Sequence, residues 1–176
     1  MRTLAKTLAV VSLTVFPLLA SAAPAAAAED LPGGVFQIKS ELFGVCGKPS
    51  TKAQQYRITS APCNSQDTGQ RWTFDQTTRQ VRNEDPAFKG MCLENQFGSW
   101  LVMANCLEDS LFGSKRQQWQ RATVRGYRGD YPGLVADGGG TFAKTSDTGA
   151  FWLMGSVDGQ TDPERNSAIS FPAVTP

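Results

Sequence analysis

The four cysteines of this chain and its lack of any histidine decide what chemistry it has to work with. Cys46, Cys63, Cys92 and Cys106 show no C-x-x-C spacing, and no histidine stands by to complete a Cys/His zinc cluster, so no metal site is expected. An even number of cysteines in an exported chain reads as two disulfides, which would leave no thiolate nucleophile. Ser-His-Asp and Cys-His mechanisms are closed off as well. The remaining catalytic option is a carboxylate pair, but Glu84-Asp85 and Glu108-Asp109 are sequence neighbours in polar, turn-like stretches and read as solvated surface. Asp158-Gly159-Gln160-Thr161-Asp162 lacks the alternating acidic ligands and the terminal Glu of a Ca²⁺ loop, and reads as a turn. The residue types therefore point to a protein that binds rather than one that catalyses, with no cofactor.

Export is itself read from the N-terminus. Arg2 and Lys6 precede a nearly unbroken apolar run from Thr7 to Ala20, and Ala25-Ala26-Ala27-Ala28 supplies small residues of the kind a signal peptidase reads. The run falls short of the roughly 20 residues a spanning helix needs, so membrane insertion is not expected. Residues 1–28 are predicted to be a signal peptide cleaved near Ala28, and residues 29–176 one secreted domain. Removing Arg2 and Lys6 leaves 15 basic against 16 acidic residues, a formal charge of about −1. Such a mixed surface does not announce a nucleic-acid partner.

The elements that must position any binding residues come from a repeat. Gln37-Ile38-Lys39-Ser40, Gln80-Val81-Arg82-Asn83 and Thr123-Val124-Arg125-Gly126 each open a unit, with Ile38, Val81 and Val124 spaced by 43 residues and 43 again. A glycine-containing second segment follows in each: Phe43 to Gly47, Lys89 to Leu93, and Pro132 to Val135. Each unit then closes on a tryptophan, in Gln70-Arg71-Trp72, Gln117-Gln118-Trp119 and Ala150-Phe151-Trp152. Turn residues recur every eight to twelve positions with no sustained helical periodicity, the pattern of many short strands. Three units, at about 35–78, 79–121 and 122–171, give roughly twelve strands that close a barrel around a pseudo-threefold axis. The expected fold is an all-β β-trefoil in which Trp72, Trp119 and Trp152 are core, each indole N–H needing one partner. Ala168 to Phe171 is expected to supply a closing strand.

Cys92-Leu93-Glu94, Cys106 and Gln117-x-Trp119, with Cys46, Cys63 and Gln70-x-Trp72 in phase one unit earlier, resemble the ricin B-chain type of β-trefoil lectin. The resemblance covers roughly Val35 to Trp152. It implies the disulfides Cys46–Cys63 and Cys92–Cys106, both within units, with Gln70 and Gln117 as structural residues. It also implies a shallow sugar pocket per unit: an acid two residues after the first cysteine, an aromatic ring two residues before the second, and a polar residue just before Gln-x-Trp.

Those pocket positions are degenerate here. Unit two has Glu94 at the acid position but Ala104 at the aromatic one and Arg116 before Gln117; unit one has Lys48, Ala61 and Gly69. Unit three lacks both cysteines and offers Ala136 or Asp137 as the acid, with Ala143 or Lys144, neither of them a ring, at the aromatic position. The carbohydrate-binding candidates are therefore Glu94 and Asp137, with Trp100, Tyr127 or Tyr131 as substitute rings. Two functions follow: a secreted lectin whose partner is a glycan or glycoprotein, or a trefoil that has lost sugar binding and docks a secreted protein, as a toxin-associated adaptor subunit or an enzyme inhibitor.

Overall fold

The computed structural model describes residues 31–50, 56–96, 100–108, 114–126, 129–137, 142–145, 151–154 and 168–175, without the side chains of 124–126, 129–131, 142–145 and 151–154. The signal-like segment lies outside these residues, as do Tyr127 and the loop from Asp158 to Asp162.

Among the described residues the chain forms thirteen short strands. Unit one holds β1 (Val35–Phe36), β2 (Lys39–Ser40), β3 (Val45–Pro49), β4 (Ile58–Pro62) and β5 (Trp72–Asp75). Unit two holds β6 (Gln80–Asn83), β7 (Met91–Gln96), β8 (Trp100–Asn105) and the start of β9 (Trp119–Gly126). β10 (Gly129–Ala136), β11 (Phe142–Thr145), β12 (Phe151–Met154) and β13 (Ile169–Ser170) complete the chain. The helical content of the described residues is three 3₁₀ turns, at Thr68–Gln70, Pro86–Phe88 and Ser114–Gln117. One sheet runs β1-β5-β6-β7-β8-β12-β11-β10-β9 and a second runs β13-β2-β3-β4. The predicted closing strand is β13, which pairs with β2.

The threefold relation is visible in the backbone hydrogen bonds. Arg71 O accepts from Glu84 N, Gln118 O from Asp137 N and Ala168 O from Glu41 N, at 2.9 ± 0.1 Å in round terms (3.0, 2.8 and 2.9 Å). Register says the same, since Trp72 pairs with Asn83, Trp119 with Ala136 and Ile169 with Ser40. Ile38, Val81 and Leu134 are thus equivalent, and so are Trp72, Trp119 and Ile169.

This corrects the expected third unit, which was placed at about 122–171 with Val124 opening it and Trp152 closing it. Val124 lies within the continuous strand β9, opposite Tyr131, and the barrel strand that opens the unit is the end of β10, at Leu134. Trp72 and Val81 are nine positions apart while Trp119 and Leu134 are fifteen, so the hairpin joining units two and three is longer than the one before it. Trp152 pairs through its backbone with Trp100 and Lys144 on a cap hairpin, and Ile169 takes the place of the third tryptophan. The side chain of Trp152 lies outside the described residues.

The core collects Phe36, Ile38, Trp72, Val81, Leu93, Leu101, Trp119, Leu134 and Ile169, all essentially inaccessible. Trp72 Nε1 donates to Gly47 O at 3.1 Å and Trp119 Nε1 to Leu93 O at 2.9 Å, so each indole meets its polar requirement one residue after a half-cystine of its own unit. Both disulfides form within units, Cys46–Cys63 and Cys92–Cys106, each with Cα atoms 4.9 Å apart.

Candidate functional site

Each Gln-x-Trp glutamine is a clamp rather than a ligand. Gln70 Oε1 accepts from Asn64 N (2.8 Å) while its Nε2 donates to Pro62 O (2.9 Å); Gln117 Oε1 accepts from Leu107 N (2.8 Å) while its Nε2 donates to Asn105 O (2.9 Å). Four buried-side polar atoms are satisfied in the same way twice, which fixes the loop after each second half-cystine against the 3₁₀ turn that carries the glutamine. Gly44 and Gly90, each two residues before a half-cystine, have φ of +63° and +81°, the left-handed region that glycine enters without a Cβ penalty.

On this scaffold the residues considered for the acid position have different fates, and only Lys48 and Glu94, each two residues after a half-cystine, share a place in the repeat. In unit one Lys48 occupies the position and its ammonium lies 2.8 Å from Asp67 Oδ2. Asp67 also caps the Thr68–Gln70 turn by accepting from Gly69 N at 2.9 Å. The Lys48 hydrogen bond, aided by Gly69 N–H and working against partial burial, holds the Asp67 carboxyl below the usual range. Unit one thus carries a cation where unit two has Glu94, and neutralises it with Asp67.

In unit three the N–H of Asp137 donates to Gln118 O as that of Glu84 does to Arg71 O, so Asp137 is the counterpart of Glu84 and not of Glu94. Its Oδ2 lies 3.1 Å from Arg79 NH1, whose NH2 donates to Gln120 Oε1 at 2.9 Å. Arg79, itself at φ +58°, reaches from the turn between β5 and β6 to tie unit three to unit two. Tyr131 shares β10 with Asp137's neighbour Ala136 but lies five residues back along the strand, about 16 Å at 3.3 Å per residue, so these two candidates do not converge. The side chain of Tyr131 lies outside the described residues.

In unit two Glu94 stands on β7 opposite Val102, and Gln96 opposite Trp100. Side chains two apart share a face, so Glu94 and Trp100 are diagonal neighbours on one face of the β7–β8 hairpin. Glu94 Oε2 accepts from Gln117 Nε2 at 2.8 Å, and among the described residues no cation pairs with it. A carboxylate has about four acceptor sites, of which this bond uses one. The Arg57 guanidinium lies 3.8 Å from the centre of the Trp100 ring, which leaves the indole at most one face for a ligand.

The structure therefore places Glu94 and Trp100 on one hairpin, with Tyr131 on β10 and Asp137 just past its end. Arg57, Asp67 and Arg79, the partners of Trp100, Lys48 and Asp137, escaped sequence reasoning. Only Asp67 left a signal: a lysine at an acid position asks for a counter-charge, and Asp67 is three residues before Gln70, where unit two has Ser114.

The profile of the ricin-type beta-trefoil lectin domain matches residues 34–144. No curated protein matches the sequence. Among solved structures the chain is similar to the mdaA-1 domain (TM-score 0.60, 14% identity, covering 84% of this chain and 94% of that one). It is similar to the designed threefold symmetric protein ThreeFoil (TM-score 0.56, 12% identity, 78% and 97%). It is also similar to the C-half of the earthworm R-type lectin in complex with GalNAc (TM-score 0.54, 12% identity, 80% and 98%). Three other similar structures are longer chains, of which this one spans 24%, 18% and 32%. At these identities the likeness speaks for the fold, and together with the profile match over well more than half of the sequence it settles the family: the chain belongs to the ricin-type β-trefoil lectins.

Proposed function

We propose that the protein is a secreted, non-catalytic carbohydrate-binding protein whose sugar contact is the β7–β8 hairpin of unit two. The observation that carries this reading is the state of Glu94. Lys48, its counterpart two residues after Cys46, is committed to an ion pair, whereas Glu94 keeps acceptor capacity beside the Gln117 amide. A carboxylate suits a pair of sugar hydroxyls, and the half-buried Trp100 indole suits the C–H face of a pyranose. Family membership supports the ligand class, and the apolar, signal-like N-terminus supports secretion.

A glycan array with the purified chain tests the proposal, with GalNAc included because the structurally similar earthworm lectin was solved with it. Binding is expected to fall more than tenfold in Glu94→Ala, the loss of a hydrogen bond to a charged group worth about 1.5–3 kcal/mol. Asp137→Ala should leave it unchanged. Absence of any glycan binding at high micromolar concentration would sink the reading.

A second reading, a protein-interaction trefoil, draws on the Leu42-Phe43 turn, where two large apolar side chains are about two-fifths exposed (40% and 38%). Capture of one defined secreted partner that Phe43→Ser abolishes would favour it over the lectin reading.

A further inference from the structure

The pseudo-threefold barrel should have three equivalent seams where a unit's first barrel strand meets its last. Unit one closes its seam by pairing Phe36 with Trp72, and unit two by the bridge Gln80–Gln118 with Trp119 N donating to Arg79 O at 2.8 Å. In unit three the residues at those places are Pro132 on β10 and Ile169 on β13, and these two strands fall in separate sheets. Proline has no N–H to give to a ladder, so Pro132 removes half of the pair that closes the other seams.

A cleft of about 610 Å³ lies at this seam, within the 300–1,000 Å³ range of small-ligand sites. Lys39, Glu41 and Ser170 line one side; the Lys39 ammonium is 3.6 Å from Glu41 Oε1, which also accepts from the Ser170 hydroxyl. Arg121 lines the other, at the register position that Phe74 holds in unit one and Phe171 in unit three. Phe171, also in the lining, presents a ring edge-on to Phe36 at 5.9 Å. The Lys39–Glu41 pair on one side thus stands opposite Arg121 on the other, with a hydroxyl and an aromatic wall beside them.

We propose that this seam cleft is a second carbohydrate subsite, selective for sugars that bear a carboxylate. Arg121 and Lys39 meet the carboxylate, Glu41 and Ser170 meet ring hydroxyls, and Phe171 meets the C–H face. The inference rests on the carbohydrate-binding reading but not on Glu94, so the two fail separately.

The test is a ¹H–¹⁵N titration of the purified full domain with trigalacturonate, with neutral galactotriose and with sodium sulfate. Trigalacturonate is expected to shift the amides of β2, β9 and β13, and to bind at least tenfold more tightly than galactotriose. Arg121→Gln and Lys39→Gln should each weaken trigalacturonate at least tenfold, Arg121→Lys less, and Glu94→Ala not at all. Thermal melting of each variant separates lost binding from lost fold, and Lys39, on a half-exposed side chain, is the safer of the two sites. No shifts at millimolar trigalacturonate, equal affinity for sulfate, or variants that melt normally and bind normally would each overturn the proposal. Loss of galactotriose binding in Glu94→Ala alone bears only on the unit-two site.

Discussion

Units one and two are built on the same bonds, while what unit three shares with them among the described residues is their register. Trp72 and Trp119 each send an indole N–H to a carbonyl beside a half-cystine, and Gln70 and Gln117 each clamp the following loop through both ends of the amide. The Ile169 side chain has no N–H to place, and its unit has no cysteines, yet it pairs with Ser40 as Trp72 pairs with Asn83. The β-trefoil here is specified by strand register and by an apolar side chain of adequate volume at each closing position. The disulfide and the glutamine clamp strengthen a unit without defining it.

The sharpest way to break that comparison is to empty the closing positions. Trp72→Ala and Trp119→Ala should each cost about 3–5 kcal/mol, a loss of packing plus an orphaned carbonyl, read by urea denaturation. Ile169→Ala should cost less, about 2–4 kcal/mol, because it removes fewer atoms and strands no polar group. An Ile169→Ala domain less stable than either tryptophan variant would show that unit three holds the other two together. Removing one disulfide, as Cys92→Ala with Cys106→Ala, comes next. In the chain-entropy model loops with separations of 17 and 14 should each be worth roughly 3 kcal/mol, so the Cys46–Cys63 and Cys92–Cys106 variants should lose similar amounts.

The smallest effect separates unit one from unit two. Because Asp67 is held below its ordinary value in the folded chain, its contribution to stability is complete above about pH 4, near the unfolded value, and is lost as pH falls through the folded one. Asp67→Asn should flatten the pH dependence of stability below pH 4 and change the midpoint at pH 7 by less than about 1 kcal/mol, as expected for a partly exposed ion pair. An unaltered acid limb would mean that the Lys48 contact contributes nothing.

The parts of the fold that were legible in the sequence are those whose chemistry is unmistakable. Cysteine and tryptophan are rare enough that two copies in phase expose the period, and a Gln-x-Trp glutamine has few other reasons to sit there. Unit three was misread because Leu134 and Ile169 are ordinary apolar residues, whereas Val124 and Trp152 kept a 43-residue spacing and a tryptophan by coincidence of type. The lengthened β9–β10 hairpin moved the true anchors out of phase. At the site, Glu94 was legible from its place after Cys92. The pairing of Asp137 with Arg79, 58 residues away, and of Trp100 with Arg57 depends on how cap hairpins lean, which residue types alone do not encode.

The pairing of β2 with β13 has a consequence for the order of events on the ribosome. Phe36 bridges Ala173, and Lys39 and Ser40 pair with Ser170 and Ile169, so one of the first strands to emerge is completed by one of the last. At about 5–20 residues per second the wait between them is roughly 7–27 s. Through that interval the edge of β2 has only β3 beside it and offers unpaired amides to any other nascent chain. The edge of β2 is therefore closed only when the C-terminal segment arrives, whatever the order in which the other strands pair.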